Sequence, residues 1–138
     1  MNGVVHFEMP GEDMSRMRDF YEKAFGWKTT QLGEDMGNYV TVHTVPTDDK
    51  GMIAKPGTIN GGFYEKTKDP ASNYPSVVIA VEDINKATKK VKEAGGKVIE
   101  GMKKDGTPDD IPNVGLYVSI IDTEGSRVGM LEPKKMAM

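Results

Sequence analysis

Two stretches decide how this chain folds: Val4-Val5-His6-Phe7-Glu8-Met9-Pro10, and Ser76-Val77-Val78-Ile79-Ala80-Val81 in the second half. Each is rich in β-branched residues and leads into a helical pattern that closes on glycine, the first on Phe25-Gly26 and the second on Gly95-Gly96. His6 precedes Gly26 by twenty residues, and Ser76 precedes Gly96 by twenty. The chain therefore reads as one unit written twice, with a histidine in the first copy at the position of a serine in the second.

Working outward, residues 12–25 carry Met14, Met17, Phe20, Tyr21, Ala24 and Phe25 at three- and four-residue intervals, and Gly26 supplies a left-handed stop. In the second copy Asp83 caps a helix whose stripe is Ile84, Ala87, Val91 and Ala94, and Gly95-Gly96 ends it. A strand follows each helix, at 27–32 and 97–101, and two further strand-like segments complete each half, at 38–44 and 58–64 and at 115–121 and 127–131. The order is βαβββ twice, an α+β chain. Residues 1–65 form a first module, 66–75 a linker and 76–133 a second module of a single domain. Residues 46–57, with two prolines and two glycines, read as a loop. Residues 103–113 form a long polar connection, either a solvated loop or a lid.

Composition narrows the function. A chain of 138 residues can bury one sizeable core, whereas two modules of about 65 residues would be marginal alone. A net charge of −3 argues against a nucleic-acid partner, which needs a basic face for phosphate. Lys86, Lys89, Lys90 and Lys92 cluster on the polar side of the second helix, where solvent is their natural partner. The absence of cysteine excludes disulfides, thiol nucleophiles and thiolate metal sites. No segment resembles a signal peptide or a membrane span, so a cytoplasmic location with no membrane partner is expected. The ten methionines read as core packing, with Met136 and Met138 in a frayed tail.

Strand alternation sorts the faces, because residues two apart point the same way and one helix covers one face of each module. The helix side takes Val5, Phe7 and Met9, then Val40 and Val42, then Val77, Ile79 and Val81, then Leu116, Val118 and Ile120, and finally Val128 and Met130. The open faces take Val4, His6 and Glu8, then Tyr39, Thr41 and His43, then Ser76, Val78 and Ala80, then Tyr117, Ser119 and Ile121, and lastly Arg127, Gly129 and Leu131. Such a mixture suits a pocket in which a few polar groups orient a greasy ligand, and it equally suits a half-wet sheet surface. His43 in particular reads either as an exposed strand histidine or as a pocket wall.

These segments, together with Asp19-Phe20-Tyr21-Glu22-Lys23-Ala24-Phe25-Gly26-Trp27, Glu93-Ala94-Gly95-Gly96-Lys97 and Asp122-Thr123-Glu124-Gly125, resemble the vicinal oxygen chelate superfamily. Its members include glyoxalase I, extradiol dioxygenases, fosfomycin-resistance enzymes and bleomycin-resistance proteins. The resemblance spans essentially the whole chain and is nearest to small bacterial glyoxalase-like proteins. It implies two βαβββ modules paired around a U-shaped cleft and, in the metal enzymes, a divalent ion held from the first and last strands of the modules. Carried over residue by residue, the first-strand histidine is His6 and its counterpart is Ser76. The glutamate expected four residues after Gly125 falls on Gly129, and its counterpart falls on Gly62. Glu132 is three positions late and has the opposite strand parity. Only His6 matches a family ligand position, so no cofactor is expected, although a divalent metal through a set such as His6, Glu8 and His43 stays open.

Three readings of function follow. One is a protein that binds a small organic molecule in the cleft without the full family metal site, with Tyr39, His43, Tyr64, Ser76, Tyr117 and Gly129 lining it. The alternative is a metal-dependent lyase or dioxygenase related to lactoylglutathione lyase, with His6 as ligand or general base and Glu8 assisting. An interaction module without a small ligand is a third. The resemblance also implies a homodimer.

Overall fold

A computed structural model describes residues 1–50, 55–99, 101 and 105–134. The tail methionines Met136 and Met138, and parts of the two loops at 46–57 and 103–113, lie outside the described residues. The chain divides into two compact units, His6–Pro75 and Met1–Val5 together with the chain from Ser76 onward. The boundary differs from the one read off the repeat. Lys66 N donates to Gly11 O, and Tyr64 Oη to Ser72 O, tying the linker to the first unit. Ala80 N donates to Gly3 O, tying the first residues to the second unit.

The first unit holds β1 (Val4–Gly11) from His6 onward, α1 (Met14–Phe25), β2 (Lys28–Gln31), β3 (Val40–His43) and β4 (Asn60–Glu65), with strands in the order β2-β3-β4-β1. β1 and β4 run parallel with Glu8 opposite Gly62, and β4 is antiparallel to β3 with Thr41 opposite Gly62. Asp13 caps α1 by accepting from Arg16 N, and Gly26, at φ 72°, ends it. Met14, Val40, Val42 and Phe63 form the core, with Phe7, Met9, Met17, Tyr21 and Trp27 packed against it. Phe63 is fully buried, which stabilises the fold by about 1.5–3 kcal/mol. Gly11 lets the helix approach, since a Cβ there would lie 2.5 Å from Met17 Sδ.

The second unit repeats the plan with β5 (Ser76–Ala80), α2 (Ile84–Glu93), β6 (Lys97–Ile99), β7 (Asp109–Ile111), β8 (Gly115–Ile121) and β9 (Arg127–Pro133). Its strand order is β5-β9-β8-β6, with β5 parallel to β9. Val81, Ile84, Val118, Ile120 and Met130 form its core. Asp83 accepts from Asn85 N and Lys86 N at the start of α2. Glu132 adds a second acceptor there, taking Ile84 N at 2.9 Å, so the parity that removed it from the open face gives it a capping role.

Three features depart from the sequence reading. The 103–113 connection is not a plain loop, because Asp109–Ile111 pairs with β8 as the short strand β7. Val77, assigned to the helix side, is 40% exposed at the start of β5 and stands outside the core cluster. Leu131 and Val78, assigned to an open and wettable face, are buried, as is Gly129. The remaining helix-side assignments on β3, β8 and β9 agree with the observed cores.

Candidate functional site

In the first unit, the face turned away from α1 carries His6, Glu8, Tyr39, Asn60 and Gly62. Glu8 is only 5% exposed, and a carboxylate at that depth requires hydrogen bonds. Tyr39 Oη donates to Glu8 Oε2 at 3.2 Å. The tyrosine reaches it by lying diagonally across the strand pair, over Gly62. A Cβ added to Gly62 would overlap the Tyr39 hydroxyl outright. His6 Nδ1 lies 3.1 Å from Asn60 O. A carbonyl oxygen only accepts, so Nδ1 carries a proton, and in the neutral form of the ring the lone pair lies on Nε2. Asn60 is buried too, and its Oδ1 accepts from Thr44 N at 2.8 Å, which holds the start of β4 against the end of β3.

The second unit carries a corresponding arrangement with different chemistry. Ser119 lies opposite Gly129 across the β8–β9 pair, and Tyr117 is its diagonal neighbour. A Cβ on Gly129 would sit 2.6 Å from Tyr117 Oη and 2.9 Å from its Cε2. Arg127, two residues before Gly129 and half-buried, donates through Nη1 to Ser76 Oγ at 3.4 Å. Its Nη2 donates to Ser119 Oγ at 3.0 Å and to Tyr117 Oη at 3.4 Å. Ser119 Oγ in turn donates to Tyr117 Oη at 3.2 Å. Thus each unit places a tyrosine over a glycine of its last strand, Gly62 in β4 and Gly129 in β9. In one the hydroxyl meets a carboxylate, and in the other a guanidinium.

The remaining sequence-derived residues divide clearly. His43 is exposed at the end of β3. Tyr64 directs its hydroxyl to Ser72 O at 2.7 Å and Tyr74 O at 3.4 Å, so it anchors the linker. His6, Glu8, Tyr39 and Gly62 belong to one unit, and Ser76, Tyr117 and Gly129 to the other. Arg127 and Ser119 were placed on the open face by alternation but given no role. The signal for them was their parity with Gly129 and Tyr117.

The donor set at the positions that the resemblance assigns to metal ligands is one imidazole, one hydroxyl and two glycines, with a tyrosine ring beside each glycine. Such a set does not fit a divalent ion, which needs at least three good donors and, for a hard cation, carboxylate charge. Among the described residues, no three histidine, aspartate or glutamate side chains converge as a metal-binding group.

Comparison with known proteins gives the wider setting. A family model described as the Glyoxalase/Bleomycin resistance protein/Dioxygenase superfamily matches residues 3–111. No curated protein matches the chain. Among solved structures, methylmalonyl-CoA epimerase of Streptomyces coelicolor, as a variant in complex with 2-nitronate-propionyl-CoA, is similar at a TM-score of 0.68 and 13% identity, over 100% of this chain and 99% of that one. The hypothetical protein BH1468 from Bacillus halodurans C-125 is similar at 0.66 and 14% identity, over 99% and 98%. Methylmalonyl-CoA epimerase from Mycobacterium tuberculosis is similar at 0.64 and 13% identity, over 96% and 89%. At these identities the likeness concerns the fold.

Proposed function

The chain belongs to the Glyoxalase/Bleomycin resistance protein/Dioxygenase superfamily, and from that premise we propose that it binds a small organic molecule on the sheet faces turned away from its helices, without the superfamily's divalent ion. The observation that carries this is the pair of tyrosines. Tyr39 over Gly62 and Tyr117 over Gly129 put an aromatic ring and a hydroxyl where a metal enzyme of the superfamily would need a carboxylate. An aromatic wall with a fixed hydroxyl suits organic ligands that combine an apolar body with a few hydrogen-bonding atoms.

The test is a ligand screen by thermal shift in the presence of a strong chelator. The panel holds aromatic acids, aromatic amides and acyl-CoA thioesters, the last because a neighbour of the same fold is described in complex with 2-nitronate-propionyl-CoA. Saturable stabilisation that persists under chelation supports the proposal. Binding that appears only when a divalent metal is restored sinks it. The proposal includes a cytoplasmic location and a symmetric homodimer, and sedimentation equilibrium showing a monomer at micromolar concentration contradicts the dimer.

A second reading rests on His6. The Asn60 carbonyl fixes its tautomer and leaves Nε2 as the basic nitrogen, an arrangement that suits a general base or a metal ligand. Under this reading the protein is a glyoxalase-type lyase or a dioxygenase, with Glu8 assisting. Turnover of the methylglyoxal–glutathione hemithioacetal that disappears in His6→Ala supports it; a rate equal to the uncatalysed one, with and without added nickel or zinc, excludes the lyase.

A further inference from the structure

We propose that Asn2 is a site of spontaneous deamidation and isoaspartate formation in the folded protein, and that the fold protects Asn60, in the chain's other Asn-Gly pair, from the same reaction. The inference is independent of any ligand.

The sequence holds two such dipeptides, Asn2-Gly3 and Asn60-Gly61. In an Asn-Gly pair the glycine backbone nitrogen gives up its proton and attacks Cγ of the asparagine side chain. A bond forms from that nitrogen to Cγ, the bond from Cγ to the side-chain nitrogen breaks, and ammonia leaves. Water then opens the cyclic imide at either of its carbonyls, which gives aspartate or isoaspartate. Glycine favours ring closure because it has no Cβ to obstruct the attack and its backbone reaches the dihedrals the ring needs. The two dipeptides are chemically alike, so their surroundings decide which one reacts.

Asn2 and Gly3 are both exposed and precede β1. Among the described residues the Asn2 side chain has no hydrogen-bond partner, so nothing holds it away from the glycine nitrogen. Even a Cβ built on Gly3 meets no atom within 4 Å, which leaves room for the ring and for water. The bond that ties this segment to β5 uses Gly3 O, which accepts from Ala80 N at 2.9 Å, and the reaction does not touch that oxygen.

Asn60 differs in each respect. It is 9% exposed, and its Oδ1 accepts from Thr44 N at 2.8 Å and from Val45 N at 3.4 Å. Gly61 stands in β4 between β1 and β3, opposite Phe7 on one side and Val42 on the other. A Cβ on Gly61 would strike the Phe7 carbonyl oxygen, so the backbone has no room to turn into a five-membered ring. Closure there requires the strand to open first, and an inner strand opens far less often than a chain terminus. This protection guards the candidate site. Asn60 O holds His6 Nδ1, and Gly62 lies under Tyr39. Isoaspartate at position 60 would route the chain through the side chain, turn the carbonyl that orients His6 into a carboxylate and shift Gly62 out of register.

The test is incubation of the full chain at mildly alkaline pH, both folded and in urea concentrated enough to unfold it. Peptide mapping by mass spectrometry and labelling with isoaspartate methyltransferase then follow both positions over time. In the folded protein Asn2 should convert, with Asn60 at least about a hundredfold slower. In urea the two should convert at comparable rates, and Asn2→Gln should abolish the labelling of the folded protein. Asn60 converting as fast as Asn2 in the folded protein overturns the proposal. So does an Asn2 that stays intact in the folded protein while it converts in urea.

Discussion

Tyr117 lies over Gly129, close enough that a Cβ on the glycine would stand 2.6 Å from the phenolic oxygen. Alternation alone assigned Gly129 to an open face, where a bulky replacement would cost little. The buried glycine and its aromatic lid reverse that expectation. Gly129→Phe must displace Tyr117, and overpacking of this kind destabilises by roughly 1–3 kcal/mol. Urea denaturation should show that loss in Gly129→Phe and a smaller one in Gly129→Phe/Tyr117→Ala, measured against Tyr117→Ala alone, because the two sites are coupled. A Gly129→Phe variant within about 0.5 kcal/mol of wild type would mean that the ring is not over the glycine.

The first unit makes a parallel case through Gly62 and Tyr39. Gly62→Ala should be destabilising for the same steric reason, and it should also push the Tyr39 hydroxyl off Glu8. Tyr39→Phe removes one hydrogen bond to a buried carboxyl group, a loss of about 1 kcal/mol. Thermal unfolding in which Tyr39→Phe is as stable as wild type would contradict the geometry.

Glu132 provides a prediction independent of any ligand. Its carboxylate takes Ile84 N at the first turn of α2, beside the Asp83 cap. Glu132→Ala should cost about 1 kcal/mol and speed hydrogen exchange at the Ile84 amide. Unchanged exchange at that amide would show that Asp83 alone suffices.

Much of this architecture was legible in the sequence, and the reasons are physical. Helix ends were readable at Gly26 and Asp83, which act locally, within a few residues, whereas the Asp13 cap of α1 emerged only in the structure. The β3 and β8 faces were readable because Val40, Val42, Val118 and Ile120 alternate cleanly. Val77 was misplaced because alternation gives a residue's face and not how far that face is covered. β7 was hidden by Asp109 and Asp110, which have poor strand propensity and are held by pairing with β8. The Arg127 cluster was illegible for another reason. Its partners come from strands far apart in sequence, and alternation gives a residue's face but not the neighbour across the ladder. Likewise the diagonal placement of Tyr39 and Tyr117 over glycines depends on register, which the sequence pattern alone did not specify.

The central proposal is that this chain binds its ligand without a divalent ion, since the positions that the resemblance assigns to metal ligands hold Ser76, Gly62 and Gly129 and tyrosines lie beside the glycines. Calorimetric titration of untagged protein with nickel, zinc, cobalt, manganese and iron(II) tests it most directly. No one-to-one submicromolar isotherm is expected for any of the five. A single such isotherm, abolished by His6→Ala, would contradict the account.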